Sequence, residues 1–443
     1  MKHSPINNVL ADTISGEWGV EPEDESGVKI IRTANFTNLG IIDFANIVLR
    51  KIEPKKIQQK KLITGDVIIE KSGGSPTQPV GRVVYFENPD NSTYLCNNFT
   101  TVLRPDKSVV FSKFLFYVLF YNHLTKKTLR FQNKTTGIIN LKLENYLNSK
   151  IPLPPLDDQI SIATILTCAE RLIAKRKESI KALDELLKST FLEMFGDDEQ
   201  WEAENLSDLS EIVSGVTKGK RYADKELIEI PYMRVANVQD GHLILDEIKT
   251  IAVTKEEIDR YLLKTGDILL TEGGDPDKLG RGTIWNNEIS KCIHQNHIFR
   301  VRVNAERINP IYLSTLIGSV YGKKYFLRAA KQTTGIASIN STQLKKFPVI
   351  IPPLPLQNQF AAIVEKVESI KAKQTQSLAA LENLYASLSQ RAFKGELDLR
   401  RVPVVYVEAE PLETKGTISA DVKVTKAFSK DELINILKAK AVR

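Results

Sequence analysis

Cysteine is scarce in this 443-residue chain, which contains three. Three cysteines cannot form a disulfide framework, and this scarcity favours a reducing compartment, most simply the cytoplasm of a prokaryote. Long apolar runs are also missing. The nearest one, residues 111–120, includes Ser112 and Lys113 and is too short to cross a membrane. The N-terminal residues lack the apolar core of a signal peptide, so we expect no membrane association.

Motifs for catalysis and cofactor binding are equally scarce. The glycine-rich segments match neither a P-loop nor a dinucleotide fingerprint, and the five histidines are too scattered for a catalytic constellation. No Asn-Pro-Pro-aromatic or Asp-Pro-Pro-aromatic motif of an amino-methyltransferase is present. Cys292, His294 and His297 lie close together but lack the fourth ligand that structural zinc requires. We therefore expect no catalytic residue, no metal and no cofactor in this chain.

What the chain does contain is an internal duplication. Four blocks occur twice in the same order: residues 32–35, 64–69, 135–140 and 151–159 correspond to 234–237, 265–270, 333–340 and 351–359. The third block begins with Thr-Thr-Gly, and the fourth is rich in proline. A duplicated chain can adopt pseudo-two-fold symmetry, which suits a partner with two separated half-sites.

Each repeat ends in a segment whose apolar residues follow a 4-3-4-3 spacing, which predicts the seam of a coiled coil. The predicted seam of the first copy consists of Ile162, Leu166, Ala169, Ile173, Arg176, Ile180, Leu183 and Leu187, and that of the second of Ile363, Val367, Ile370, Gln374, Ser377, Leu381, Leu384 and Leu388. The prolines before each segment fix where each helix begins. Antiparallel packing would bring Arg176 to Gln374 and Ser377 and fix the register; a locally weak heptad is the alternative.

Two variable domains, each followed by a proline-rich step and a long helix, resemble the specificity subunit of type I restriction-modification systems. The resemblance covers residues 1–398 and is carried by the segments 65–74 and 266–274, by both Thr-Thr-Gly phrases and by both proline-rich steps. It implies that each variable domain reads one half of a split target in double-stranded DNA. It also implies that the helices separate the two domains and dock two methyltransferase subunits, which carry S-adenosylmethionine. Motor-nuclease subunits join for cleavage.

The expected fold class is α+β: two pseudo-symmetric mixed α/β target-recognition domains separated by a long antiparallel two-helix coiled coil. The predicted segments are a first recognition domain at 1–150, a central spacer helix at 151–198, a second recognition domain at 199–350, a C-terminal spacer helix at 351–398 and a tail at 399–443.

Candidate DNA contacts lie in the glycine loops, in the Thr-Thr-Gly turns and at arginines that recur in both repeats. In the first repeat they are Arg32, Lys71, Ser72, Gly73, Gly74, Ser75, Thr77, Gln78, Arg82, Lys134, Thr135 and Thr136. In the second they are Arg234, Thr271, Gly273, Gly274, Lys278, Arg281, Lys331, Thr333 and Thr334. Hydroxyls, amides and cations of this kind bind phosphates and base edges. For Arg32 and Arg234 an internal role beside Asn35 and Asn237 is the favoured alternative.

The net charge of +7 modestly favours a polyanionic partner. The sequence therefore predicts a non-catalytic DNA-recognition subunit. The alternatives are a single-chain restriction or methyltransferase enzyme, and a coiled-coil scaffold or RNA-binding repeat protein.

Overall fold

The computed structural model describes residues 1–24, 26–75, 77–135, 138–196, 201–222, 226–274, 279–333 and 336–399. These residues form two compact units. Unit 1 contains Met1–Arg176 and the chain from Ser377 onward, and unit 2 contains Lys177–Gln376. Each unit therefore holds one repeat together with part of each long helix. Apart from residue 399, the predicted tail lies outside the described residues.

The first repeat contains short strands and three short helices before its long helix. Its elements are β1 (His3–Pro5), β2 (Leu10–Ser15), β3 (Val28–Ile31), β4 (Val48–Arg50), α1 (Pro54–Lys60), β5 (Val67–Glu70), β6 (Ser72–Gly74), β7 (Val83–Tyr85), β8 (Tyr94–Cys96), β9 (Thr100–Pro105), α2 (Ser112–Leu124), β10 (Gln132–Thr135), β11 (Ile138–Leu141), α3 (Leu143–Leu147), β12 (Lys150–Pro152) and α4 (Leu156–Phe195).

The second repeat has the same plan, with one additional short helix at its start and with two helices in place of α2. Its elements are β13 (Ala203–Asn205), α5 (Leu206–Leu209), β14 (Ser210–Ser214), β15 (Ile228–Met233), β16 (Lys249–Val253), α6 (Lys255–Tyr261), β17 (Ile268–Thr271), β18 (Gly273–Gly274), β19 (Gly282–Ile284), β20 (Ile293–His294), β21 (Ile298–Val303), α7 (Pro310–Gly318), α8 (Val320–Ala329), β22 (Lys331–Thr333), β23 (Ile336–Ser338), α9 (Ser341–Lys345), β24 (Pro348–Ile350) and α10 (Leu354–Lys394).

The sheets repeat strand for strand. Unit 1 has a four-stranded sheet in the order β2-β9-β5-β7, three-stranded sheets β4-β3-β8 and β10-β11-β6, and the pair β1-β12. Unit 2 has β14-β21-β17-β19, β16-β15-β20, β18-β23-β22 and β13-β24. In each unit one pair of strands is parallel, β3 with β8 and β15 with β20, while the other ladders are antiparallel. Matching topology confirms the predicted α+β fold with two pseudo-symmetric domains.

The repeated Thr-Gly-Asp block positions the central strand of each four-stranded sheet. Gly65 and Gly266 have φ values of 104° and 89°, a backbone region that favours glycine. The buried carboxylate of Asp66 accepts two hydrogen bonds from Arg104, at 2.9 and 2.8 Å. Asp267 accepts two from Arg302 in the same way, at 2.8 and 2.7 Å. The block therefore forms a turn that is held by a buried ion pair at the start of β5 and of β17.

A buried glutamine anchors the start of each long helix. The Gln159 side chain accepts a hydrogen bond from the Phe111 amide at 2.8 Å and donates one to the Pro154 carbonyl at 2.9 Å. Gln357 accepts one from the Asn309 amide at 2.9 Å and donates one to the Pro352 carbonyl at 2.7 Å. Gln357 therefore corresponds to Gln159. The predicted alignment of 151–159 with 351–359 is shifted by two residues, and the structure aligns 151–159 with 349–357.

The equivalence of Gln159 and Gln357 also reveals an error in the second predicted seam. All eight positions predicted on α4 are buried or half-buried, but Ile370 and Leu384 on α10 are 38% and 50% exposed. Their neighbours Lys371 and Tyr385 are half-buried instead. Counting from Gln357 rather than Gln359 gives the observed register, since it places Lys371 and Tyr385 at the inward positions.

Two polar side chains of the long helices, Glu170 and Lys371, are paired within their own unit. In unit 1 the Tyr117 and Tyr385 hydroxyls donate to the Glu170 carboxylate at 2.7 and 2.9 Å. Burial raises the pKa of Glu170, and these two hydrogen bonds partly offset that effect. In unit 2 the Lys371 ammonium lies 2.6 Å from the Asp184 carboxylate.

The two long helices pack antiparallel. Within unit 2, Asp184 pairs with Lys371, and further along α4 the Phe191 ring packs on Phe360 with centroids 5.4 Å apart. Residue numbers therefore rise along one helix as they fall along the other. Arg176 and Gln374 are half-buried but belong to different units, so their mutual contact stays a prediction.

The seam register can be tested with two neighbouring residues of α10. Val367→Ala should lower the free energy of unfolding by about 1–2 kcal/mol, because Val367 is buried. Ile370→Ser should change it by less than about 0.5 kcal/mol, because its side chain faces solvent. Urea denaturation of both variants measures the difference. Equal losses at the two positions would contradict the register described here.

Candidate nucleic-acid interface

The glycine loop and the Thr-Thr-Gly hairpin of the first repeat meet in one small sheet. Strand β6 pairs with β11, with Gly74 opposite Ile139 and Ser72 opposite Asn140. Strands β10 and β11 pair from Gln132 to Leu141, and the chain that joins them follows Thr135. The segment after Gly74 therefore leaves β6 at the end of the sheet where β10 and β11 are joined.

The second repeat builds the same arrangement. Gly273 lies opposite Ser338, and Gly274 lies opposite Ala337. Thr333 pairs with Ile336 at the end of the second hairpin. Two motifs that are far apart in sequence thus form one edge in each unit. We call strands β6, β10 and β11, together with Ser75, Thr77 and Gln78 after β6, the unit 1 hairpin edge, and strands β18, β22 and β23 the unit 2 hairpin edge.

The unit 1 hairpin edge carries several of the predicted contacts. Gly73, Thr77 and Gln78 are exposed, whereas Ser72 and Ser75 are half-buried. Gly73 has a φ of 97°, and a Cβ atom there would meet no atom within 4 Å. The backbone at Gly73 is therefore open to the close approach of a ligand. Gly74 is packed instead, since a Cβ atom there would lie 2.7 Å from the Val80 side chain.

Other predicted contacts are described only in part or are less accessible. Thr271 is buried, Gly273 and Gly274 are half-buried, and Lys331 is exposed. Lys71 is half-buried, and burial lowers the pKa of its ammonium. The backbones of Lys134, Thr135 and Thr333 are described without their side chains. Thr136, Lys278 and Thr334 lie outside the described residues.

Arg82 is buried and has an internal role, so its contact with DNA stays a prediction. Its guanidinium donates two hydrogen bonds to the Glu70 carboxylate, at 2.9 and 2.8 Å. It also donates to the Phe36 and Thr33 carbonyls, both at 3.1 Å. The side chain thus ties β5 to the turn at residues 33–36. In the second repeat Thr271 replaces Glu70, and half-buried Arg281 donates to the Gln239 side chain at 3.1 Å.

The internal role favoured for Arg32 and Arg234 is confirmed. The Asn35 side chain accepts from the Arg32 amide at 2.9 Å, and the Arg32 guanidinium donates to the Asn46 carbonyl at 2.9 Å. Asn237 accepts from the Arg234 amide at 3.0 Å, and that guanidinium donates to the Glu247 carbonyl at 3.0 Å. Each pair closes a turn on one side of its sheet. A direct contact of either arginine with DNA stays a prediction.

Sequence reasoning missed an exposed ring beside each hairpin edge. The Phe99 carbonyl accepts from the Lys71 and Ser72 amides at 2.9 and 3.2 Å, and its ring is 44% exposed. His297 occupies the same place in unit 2, where its carbonyl accepts from the Glu272 amide at 3.0 Å. Its exposed imidazole lies 2.5 Å from the Glu272 carboxylate. The signal in the sequence is a ring after two polar residues, at 97–99 and 295–297.

The cluster of Cys292, His294 and His297 does not converge. Cys292 and His294 are buried, whereas His297 is exposed beside Glu272. Burial raises the pKa of the Cys292 thiol to about 12 and lowers the pKa of the His294 imidazole to about 4. Within the described ranges, no three metal-ligating side chains come together.

The comparison with known families agrees with the duplicated fold. The sequence model of the "Type I restriction modification DNA specificity domain" matches residues 13–182 and again residues 198–383, one match in each repeat. The chain belongs to the type I restriction-modification DNA specificity family. It is therefore a non-catalytic DNA-recognition subunit, as the sequence predicts.

Individual relatives extend over most of the chain. The chain is 25% identical to the EcoKI type I restriction enzyme specificity subunit of Escherichia coli, a match that covers 87% of this chain and 86% of the relative. It is 24% identical to the StySPI specificity subunit of Salmonella potsdam, over 84% of this chain and 82% of that protein.

A solved structure supports the fold. The S subunit of a type I system from M. genitalium covers 88% of this chain with 96% of its own length, at a TM-score of 0.52 and 14% identity. The parts of this specificity-family chain that the structure describes contain no helix that is long and apolar enough to cross a membrane.

The internal role of Arg82 can be tested by a double-variant cycle. Arg82→Ala should lower the free energy of unfolding by about 3–5 kcal/mol, because it leaves the buried Glu70 carboxylate without a cation. Arg82→Met combined with Glu70→Gln should restore most of that loss, since no buried charge remains.

The matched control is Arg281→Ala, which should cost about 1 kcal/mol because its partner Gln239 is neutral. Guanidinium chloride denaturation measures all of these variants. A fully stable Arg82→Ala protein with weakened DNA binding would contradict the assignment.

Proposed function

We propose that this chain binds a split target in double-stranded DNA, with the hairpin edge of each unit reading one half-site. One observation carries the proposal: equivalent strands build the same edge in both repeats, beside an exposed ring. A duplicated reader is suited to two half-sites. The family assignment already makes the chain a DNA-recognition subunit, and the hairpin edges are the places where we infer that it reads the target.

The chemistry of the unit 1 hairpin edge suits groove recognition. The Gln78 amide can accept from and donate to adenine in the major groove. The open backbone at Gly73 and the Thr77 hydroxyl suit a phosphate or a base edge. The exposed Phe99 ring beside them can contact an apolar base surface, such as a thymine methyl group.

The long helices provide the spacing and the docking surface in this proposal. The α4 helix has 40 residues and is therefore about 60 Å long. Four exposed apolar residues on these helices occupy equivalent places in the two repeats. Leu172 corresponds to Ile370, and Leu186 corresponds to Leu384, when the helices are matched from Gln159 and Gln357.

Each unit contains two of these four residues, one from each long helix. Unit 1 contains Leu172 and Leu384, and unit 2 contains Leu186 and Ile370. A surface that occurs twice suits two copies of one partner. We infer that these two apolar pairs bind two methyltransferase subunits, which hold S-adenosylmethionine. Motor-nuclease subunits then join the complex for cleavage. We place this assembly in the prokaryotic cytoplasm.

Base reading by the hairpin edges predicts separable half-sites. Gln78→Ala should reduce discrimination at one half-site by about 1–3 kcal/mol and leave the other unchanged. His297→Ala should affect only the other half-site. The target is first read from the methylation pattern of cells that express this chain with its partners. Competition between duplexes with a base-pair change in either half then measures each effect.

The control for this experiment is Lys181→Ala, an exposed residue of α4 that should leave both half-sites unchanged. A variant of one edge that alters both half-sites equally would show that the two edges read a single shared site.

The docking proposal predicts a change in stoichiometry. Leu172→Lys combined with Leu384→Lys should remove one methyltransferase subunit, because charged side chains cannot be buried against an apolar partner surface. The same change at Ile370 and Leu186 should remove the other subunit. Mass measurement of the purified complex counts the subunits. Leu192→Lys is the control, because Leu192 is exposed on the same helix outside both pairs. Two bound subunits in each double variant would refute the assignment.

A further inference from the structure

Unit 1 contains a small cavity whose lining is polar and basic. Its volume is about 240 Å³, and it lies among α2, α3, β1, β12 and the end of α10. Its basic lining residues are His3, Lys127, Arg130 and Lys150, which are all exposed. Among the lining residues that the structure describes there, none is acidic. The electrostatic potential in the cavity therefore favours an anion.

Tyr146 lines this cavity, but its hydroxyl is fully buried and out of contact with solvent. Tyr146 is 1% exposed, and its hydroxyl forms no hydrogen bond within the described part of the chain. The hydroxyl is therefore not part of the surface that a ligand in the cavity would contact.

The basic residues are not neutralised by neighbouring carboxylates. The Lys127 ammonium lies over the Tyr121 ring at 5.2 Å from its centroid, and the Arg130 guanidinium lies over the Phe131 ring at 4.7 Å. Across the described ranges, neither of these side chains nor that of Lys150 forms an ion pair. Their charges remain available to a ligand.

In the second repeat, a buried aromatic ring fills the space that is equivalent to this cavity. The Ser149 carbonyl accepts from the Ile6 amide at 3.1 Å, and the Phe347 carbonyl accepts from the Leu206 amide at 2.9 Å. Ser149 and Phe347 therefore hold equivalent places. Phe347 is fully buried and stacks on Phe326 with centroids 5.1 Å apart. The first repeat has a serine where the second has a buried ring, and this difference leaves room for the cavity.

Two further replacements change the chemistry of the same place. Lys150 pairs with Pro5 in β12, as Pro348 pairs with Asn205 in β24, so a lysine replaces a proline. Tyr146 and Leu344 are the next-to-last residues of the equivalent helices α3 and α9. The second repeat has three apolar residues at these positions, and the first repeat has Tyr146, Ser149 and Lys150. Packing alone does not require a hydroxyl, a cation and the space left by the smaller Ser149.

We propose that this cavity is an anion site that binds a phosphoryl group, with Lys127, Arg130 and Lys150 supplying positive charge. Its volume holds several waters at about 30 Å³ each, and therefore a phosphate ion. The cavity is smaller than the roughly 300 Å³ at which pockets for larger ligands begin. The phosphoryl group comes either from a free phosphate compound or from the DNA backbone.

The test is a titration of the full-length chain with inorganic phosphate, followed by calorimetry and by thermal unfolding. Wild-type protein should bind one phosphate saturably. Tyr146→Phe should leave binding unchanged, because the Tyr146 hydroxyl is not accessible from the cavity. Arg130→Gln combined with Lys150→Gln should weaken it by about tenfold or more. Arg328→Gln, the counterpart of Arg130 in the second repeat, should leave binding unchanged.

Ser149→Phe provides an independent check, because it refills the cavity as Phe347 does in unit 2 and should abolish binding. If this variant fails to fold, the double-charge variant still decides the outcome. The proposal is overturned if wild-type protein shows no saturable phosphate binding, or if the double-charge variant binds as tightly as wild type. Neither result bears on the hairpin edges, because the titration contains no DNA.

A second titration with duplex DNA present distinguishes the two sources of the phosphoryl group. Displacement of inorganic phosphate by the duplex would assign the site to a backbone phosphate. Simultaneous binding would assign it to a free phosphate compound. Both results support the site.

Discussion

Each unit is completed by the end of a helix that began in the other repeat, and the rest of the structure depends on this exchange. The α4 helix ends with Phe195 packed on Tyr312 of unit 2, with ring centroids 4.8 Å apart. The α10 helix ends with Phe393 packed on Phe114 of unit 1, at 6.1 Å. Because each core includes these residues, removing one repeat would expose apolar surface in the repeat that remains.

Charge pairing inside each unit limits which basic residues are free to bind DNA. Arg82, Arg104 and Arg302 each form two hydrogen bonds with a buried carboxylate. A buried ion pair is costly to break, so these arginines stay inside the fold. The net charge of the chain is therefore a poor guide to its DNA contacts. Recognition falls instead to exposed residues at the hairpin edges, where backbone, hydroxyl, amide and ring groups are accessible.

The two repeats share a topology but differ in their side chains at equivalent positions. In unit 1 a carboxylate, Glu170, accepts hydrogen bonds from Tyr117 and Tyr385. The equivalent of Glu170 in unit 2 is Glu368, which lies 3.5 Å from Lys371. Ser149 and Phe347 differ at another equivalent place. The two copies keep the same turns and strand ladders, while their side chains form different pairs and, in unit 1, a cavity.

The sequence by itself determined the duplication, the two long helices and the family, since these depend on local spacing and on recurring phrases. Only the tertiary structure decided which side chains face inward. Ile370 looked like a seam residue because heptad spacing tolerates a shift of one position, and the paired Lys371 took its place. Arg82 looked available because the sequence cannot show that Glu70, in the neighbouring strand, neutralises it. Burial and charge pairing depend on neighbours that are distant along the chain, so local patterns cannot decide them.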